Sequence, residues 1–281
     1  MFRQIIIGTA ALFGLASTAQ ATVEISTTAR GLFSSVRVVG QPLTSVGPVA
    51  PVSGRTSPGY ALNNSAASLA ASVGLGTVSG VTATLGLNSG AIATAASANG
   101  TTPIDTSSGS VSATVSNLDV GLVTSLLGVP TSILSLTAGQ VQSVTTVDKL
   151  GGTTSFVGGS LFSNLALSVN GSSAFSLGSN AQVAPNFVAF NQNGLKVTLN
   201  QQFASNFDST RVLITNAIGI SFTNYLLDGR SLSGSITVGQ SLAEFMDSSG
   251  DPVPEPASWA QMLAGFGFAG AAARHRRALR A

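Results

Sequence analysis

Along much of this chain apolar residues recur at every second position, and runs with helical spacing are few. Val23, Ile25 and Thr27 alternate with polar partners, and 33–39 is rich in β-formers, so both stretches predict strands. The same pattern fills 111–118, the β-branched run 141–147, and 161–169, where Leu165, Leu167 and Val169 share a face. Stretches 211–222 and 231–238 supply two more strands. Asn170-Gly171 offers a turn, and 187–190 and 195–199 flank Asn193-Gly194 as a hairpin with Leu195, Val197 and Leu199 on one side. One segment breaks the rule: Leu122, Val123, Leu126 and Leu127 fit a short helix within 121–136, ended by Pro130. Taken together, the pattern predicts an all-β, sandwich-like domain over 110–246.

The region before it reads differently. Pro42, Pro48, Pro51 and Pro58 among glycines and serines mark 41–60 as a loop or linker after the strands that begin at Thr22. Stretch 61–109 is biased toward Ala, Ser, Thr, Gly and Asn, with short alternations such as Val81-Thr82-Ala83-Thr84-Leu85. It predicts partly ordered β-structure in a low-complexity region.

Both ends carry export chemistry. Arg3 precedes an apolar run over 5–16, and Ala19-Gln20-Ala21 is a small-x-small cleavage site. Residues 1–21 thus form a signal peptide, with Ala19 and Ala21 as its cleavage residues. At the other end a linker over 247–256 holds Pro252, Pro254 and Pro256, which keep the chain extended. Uncharged residues 257–273 follow. As a helix they would rise roughly 25 Å, the short limit for a bilayer span. Arg274, Arg276, Arg277 and Arg280 close the tail as a stop signal that fixes orientation. Few large aliphatics make the span a marginal anchor, which fits a temporary hold as well as a permanent one.

Charge changes sign once the ends are removed. The whole chain is formally +2, but Thr22 to Pro252 holds seven Lys or Arg against nine Asp or Glu, a net of −2. That excludes a basic nucleic-acid surface. The chain has no cysteine, so no disulfide and no lipid-modified cysteine is possible. Its one histidine, His275, lies in the basic tail. The body therefore lacks the side chains for Ser-His-Asp or Cys-His nucleophiles and for His/Cys zinc sites. No catalytic residue, metal site or cofactor is expected. Asp119, Asp148, Asp208 and Asp228 are the acids from which a sugar-hydrolysing pair would have to come, although turn contexts suit Asp208 and Asp228 better. Asp247-Ser248-Ser249-Gly250-Asp251 has oxygen ligands but no full calcium-loop pattern. Trp259, the only Trp, reads as a membrane-interface residue, and Thr82-x-Thr84 is too short for a regular threonine ladder.

The tail resembles the PEP-CTERM sorting signal of Gram-negative bacteria. The resemblance runs through Val253-Pro254-Glu255-Pro256-Ala257-Ser258-Trp259-Ala260, Met262-Leu263-Ala264-Gly265-Phe266-Gly267, Gly270-Ala271-Ala272 and the arginines. It implies that Pro254, Glu255 and Pro256 are recognised by an exosortase, a membrane-embedded processing enzyme, after passage through the general secretory machinery and signal peptidase. It also implies a surface or extracellular destination in organisms that make polysaccharide or biofilm. The body is similar to choice-of-anchor P proteins at Thr137-Ala138-Gly139-Gln140-Val141-Gln142-Ser143-Val144-Thr145-Thr146 and at Leu165-Ala166-Leu167-Ser168-Val169-Asn170-Gly171. Leu195-Lys196-Val197-Thr198-Leu199-Asn200-Gln201-Gln202 and Arg211-Val212-Leu213-Ile214-Thr215-Asn216-Ala217 continue the likeness, which implies an exported β-rich domain and no particular reaction. The expected protein is a non-catalytic structural or adhesive component of the cell surface or polysaccharide matrix, with extracellular polysaccharide as a partner. The alternative is a polysaccharide-acting enzyme using two of the four Asp residues.

Overall fold

The computed structural model describes residues 22–39, 43–55, 59–78, 81–99, 106–227 and 229–248. Within them all regular structure is strand. One sheet contains β14 (Phe187–Gln192), β15 (Leu195–Phe207), β16 (Thr210–Leu227), β17 (Arg230–Ser248), β1 (Thr22–Val38) and β2 (Thr44–Val49) in that order, with β3 (Val52–Arg55) also on β1. The other runs β12 (Ser172–Leu177), β11 (Leu165–Val169), β9 (Val129–Leu150), β8 (Thr106–Leu126), β6 (Val81–Ser89) and β5 (Leu69–Val78). Strands β7 (Ile92–Asn99) and β4 (Tyr60–Ala66) extend it from β8, and β10 (Thr153–Ser163) with β13 (Ala181–Gln182) from β9. The paired strands are antiparallel, and the two sheets pack face to face around a shared core. Val23–Asp247 forms one compact unit.

The all-β expectation holds for these residues, and the hairpin at Asn193-Gly194 has the expected pairing of Gln192 with Leu195. The helix expected within 121–136 does not form. Leu118, Val120 and Leu122 are buried at every second position, and this period-two face continues the strand that begins at Thr106. Pro130 is the second residue of β9, opposite Ser125, close to the strand start where a missing N–H is tolerated. Stretch 61–109 supplies β4 to β7 of the larger sheet, and the proline-rich 41–60 supplies β2 and β3. The expected transmembrane segment lies outside the described residues, among which no helix is long and apolar enough to cross a membrane.

A crease crosses both sheets. On β8 the inward residues are Val111, Ala113 and Val115, then Leu118, Val120 and Leu122; the parity changes at Asn117, which has φ 47°. Gly139 faces it on β9, since Ser116 pairs with Gln140 and Leu118 with Ala138. Asn164, at φ 51°, makes the same change between Phe162 and Leu165. In the other sheet Asn200 (φ 49°) and Gly239 (φ 60°) flank Ala217 on their shared level. One residue is skipped in each strand that crosses this line, so the ladders stay in register while those strands exchange their faces. Asparagine and glycine suit this line because each tolerates positive φ.

The crease divides the sandwich into halves. The distal half holds a Leu, Val and Ile core that includes Leu32, Leu87, Leu122, Leu136, Leu167 and Ile236. The terminal half, where β1 begins and β17 ends, holds a smaller core around Ile25, Val111, Val147 and Phe245.

Candidate functional site

The residues assigned to processing, Ala19, Ala21, Pro254, Glu255, Pro256, Arg274, Arg276, Arg277 and Arg280, lie outside the described residues. So do Asp228 and Asp251. The other acids stand apart. Asp119 is exposed on β8 opposite Thr137, whereas Asp148 is exposed on β9 opposite Ser108, eleven residues further along the same ladder. Asp208 occupies the exposed turn between β15 and β16 with φ 50°. Asp247 is engaged with Lys149, 3.8 Å from its Nζ. Lys149 is 7% exposed, and its ammonium lies 5.3 Å from the Phe245 ring centre, so its aliphatic stem packs on the terminal core while its charge meets a carboxylate and a ring face. Among the described residues no three His, Cys, Asp or Glu gather as a metal site.

Hydroxyls and amides bridge the two sheets in the terminal half. Thr145 of β9 donates to Thr215 Oγ1 at 2.9 Å and lies 2.8 Å from Ser241 Oγ, joining the larger sheet to β16 and β17. Gln202 donates to the Gly158 carbonyl at 2.9 Å and Ser160 to Asn200 Oδ1 at 3.2 Å. Tyr60 OH meets Thr27 Oγ1 at 2.7 Å. Burial raises the Tyr60 phenol above its ordinary range, while its hydrogen bonds with Thr27 pull it down. These groups are mutually satisfied, as buried polar groups must be, and they tie the layers together.

The distal end carries an open cleft of about 380 Å³ between the sheets. The β11–β12 turn contributes Asn170 and Ser172, the β14–β15 hairpin contributes Phe190, Gln192 and Asn193, and β16 contributes Tyr225. Both hairpins close with the left-handed Asn-Gly pair, which fixes the lip of the cleft. Tyr225 is 9% exposed, packs edge-on against Phe222, and has its phenol raised by burial. The lining offers hydroxyl, amide and aromatic groups without a charged side chain. It suits hydrogen bonding to neutral polar groups. Sequence reasoning gave Tyr225 no role; the signal that could have placed it is the pair of Asn-Gly turns bracketing the strands beside it.

Residues 252–277 match the PEP-CTERM protein-sorting motif. No curated protein and no solved structure matches the chain, so the likeness of the body to choice-of-anchor proteins gains no support from a relative. The chain carries a PEP-CTERM signal at its C-terminal end, which implies export through the secretion machinery and sorting by an exosortase.

Proposed function

We propose that this protein is a non-catalytic structural or adhesive component of the cell surface or extracellular matrix, held at the membrane by its tail until an exosortase processes it. The sorting motif at 252–277 is the observation that carries the reading. The body supports it. It has no histidine or cysteine, its net charge is −2 between Thr22 and Pro252, and its charged residues are few. Its exposed surface is therefore rich in hydroxyls and amides, a chemistry that mixes with hydrated polysaccharide without strong electrostatics. The uncharged cleft beside Tyr225 belongs to the same chemistry.

Replacement of Pro254, Glu255 and Pro256 by Ala tests the sorting step. The expected result is a chain that keeps its tail, seen by mass spectrometry, and stays in the membrane fraction. Unchanged processing and release would refute it. The non-catalytic part is tested by incubating the purified protein with exopolysaccharide from its own cells: binding without product is expected, and released oligosaccharide that vanishes in Asp119→Asn or Asp148→Asn would overturn it.

A further inference from the structure

The turn between β8 and β9 departs from the rule that the other turns of this fold obey. Eleven non-glycine residues among those described have positive φ, and nine are Asn or Asp. Their short polar side chains tolerate the left-handed region. Of the other two, Ala50 is small and buried. Leu127 is large, has φ 49° and is 89% exposed. With Gly128 at φ 84° it closes a two-residue hairpin between Leu126 and Val129, the geometry for which Asn-Gly is favoured and which Asn170-Gly171 and Asn193-Gly194 use. Asparagine at 127 would serve both folding and solubility better. A residue that strains the backbone and gains no burial is placed for contact with something outside the chain.

Its neighbours define that contact. Val39, Leu43, Leu126, Val129 and Leu226 are each more than half exposed and stand at or beside the distal ends of β1, β2, β8, β9 and β16. Leu126 pairs with Val81, and Val81, Val38, Leu75, Leu227 and Arg230 line a gap of only about 10 Å³. No side chain fits such a gap, and none of these tips lines the open cleft beside Tyr225, so the tips themselves frame no socket. Protein partners are typically gripped by aromatic anchors seated in pockets, and these tips have neither. A fluid hydrocarbon surface needs no socket, because it closes around protruding aliphatics. Arg37 is exposed on β1 and Arg230 follows the β16–β17 turn, against one acid, Asp228, adjoining them in sequence. Guanidinium groups at the rim suit phosphate headgroups.

We propose that the distal end of the sandwich inserts shallowly into an anionic lipid surface, with Leu127 at its deepest point. This does not rest on the matrix role and would survive its failure. The chain has no cysteine, so Thr131→Cys and Ser209→Cys each place one environment-sensitive dye, near the tip or at the opposite end, in the full-length protein. Vesicles of phosphatidylcholine and phosphatidylglycerol carrying nitroxide-labelled lipid are the probe. The chain leaves the sheet for its apolar tail beside Ser209, whose carbonyl accepts from the Asp247 N–H, so position 209 reports the tail and position 131 the distal end, where quenching is expected. In the Thr131→Cys background, Leu127→Asn should raise Tm by roughly 2–4 °C while demanding about tenfold more lipid for the same quenching. Arg37→Gln and Arg230→Gln should each weaken quenching about fivefold. Several results would overturn the proposal: no quenching at 131, Leu127→Asn that stabilises with no loss of quenching at 131, or an equal loss at 209 when Leu127→Asn is combined with Ser209→Cys. A dye response that grows with protein concentration in the absence of vesicles would assign the tips to a second copy instead, and would overturn it as well.

Discussion

The core of the distal half belongs to a cluster of thirty-three buried residues dominated by Leu, Val and Ile, which reaches past the crease at Val115, Val141 and Phe162, whereas the separate cluster of the terminal half buries ten, five of them alanine. The strands are the same; β1, β8, β9, β16 and β17 run through both. What differs is how the sheets adhere. Aliphatic volume fills the distal half, and in the terminal half small side chains leave room for Thr145, Thr215, Ser241 and Gln202 to hydrogen-bond from one sheet to the other. The lesson is that a region poor in large apolar residues still closes a sandwich when hydroxyls and amides such as these pair across the gap.

The largest expected effect breaks the distal half. Leu136 is fully buried on central β9, and Leu136→Ala should cost about 2–5 kcal/mol by urea unfolding. Val111→Ala on neighbouring β8, in the terminal half, should cost less, about 1–3 kcal/mol. Equal losses would erase the distinction between the halves. Next comes the hydroxyl bridge. Thr145→Val strips Thr215 and Ser241 of their shared partner and should cost about 1–3 kcal/mol, whereas the triple change Thr145→Val, Thr215→Val, Ser241→Ala should cost less than the single one. A triple variant weaker than the single would mean that the hydroxyls contribute net stability. The smallest effect is confined to alkaline solution. Burial raises Tyr60 and Tyr225 above 10.0, so the folded chain holds both protons more tightly than the unfolded one. Stability is then intact below about pH 10 and falls as pH climbs through the folded-state values. Tyr60→Phe should remove one part of that fall and Tyr225→Phe the other, in chemical denaturation series across this range. A fall that persists undiminished in both variants would assign it to other groups.

Period-two alternation made most strands legible in the sequence, and Asn-Gly made two hairpins legible. The crease was not, although its signature is there: Val111, Ala113, Val115 and then Leu118, Val120, Leu122 carry a three-residue step in a two-residue rhythm. Read locally, that step looks like a strand end, so β8 was expected only as 111–118. The turn at Leu127 was hidden for a related reason, since two adjacent leucines before Gly128 match a helix face as well as a strand tip. Stretch 61–109 looked low in complexity because Ala96 and Ala98 serve a small core, where alanine is the residue that fits. The sorting tail was legible from its own sequence, because a recognition motif is read by its partner one residue at a time. The cleft was not, because its lining comes from three separate hairpins.

Strand β17 begins at the distal turns and runs unbroken for 19 residues to Ser248, the last described residue before the sorting segment. At about 3.3 Å per residue such a strand spans up to roughly 60 Å. The point at which the chain leaves the sheet is therefore set by stiff strand, at the end of the sandwich opposite the tips.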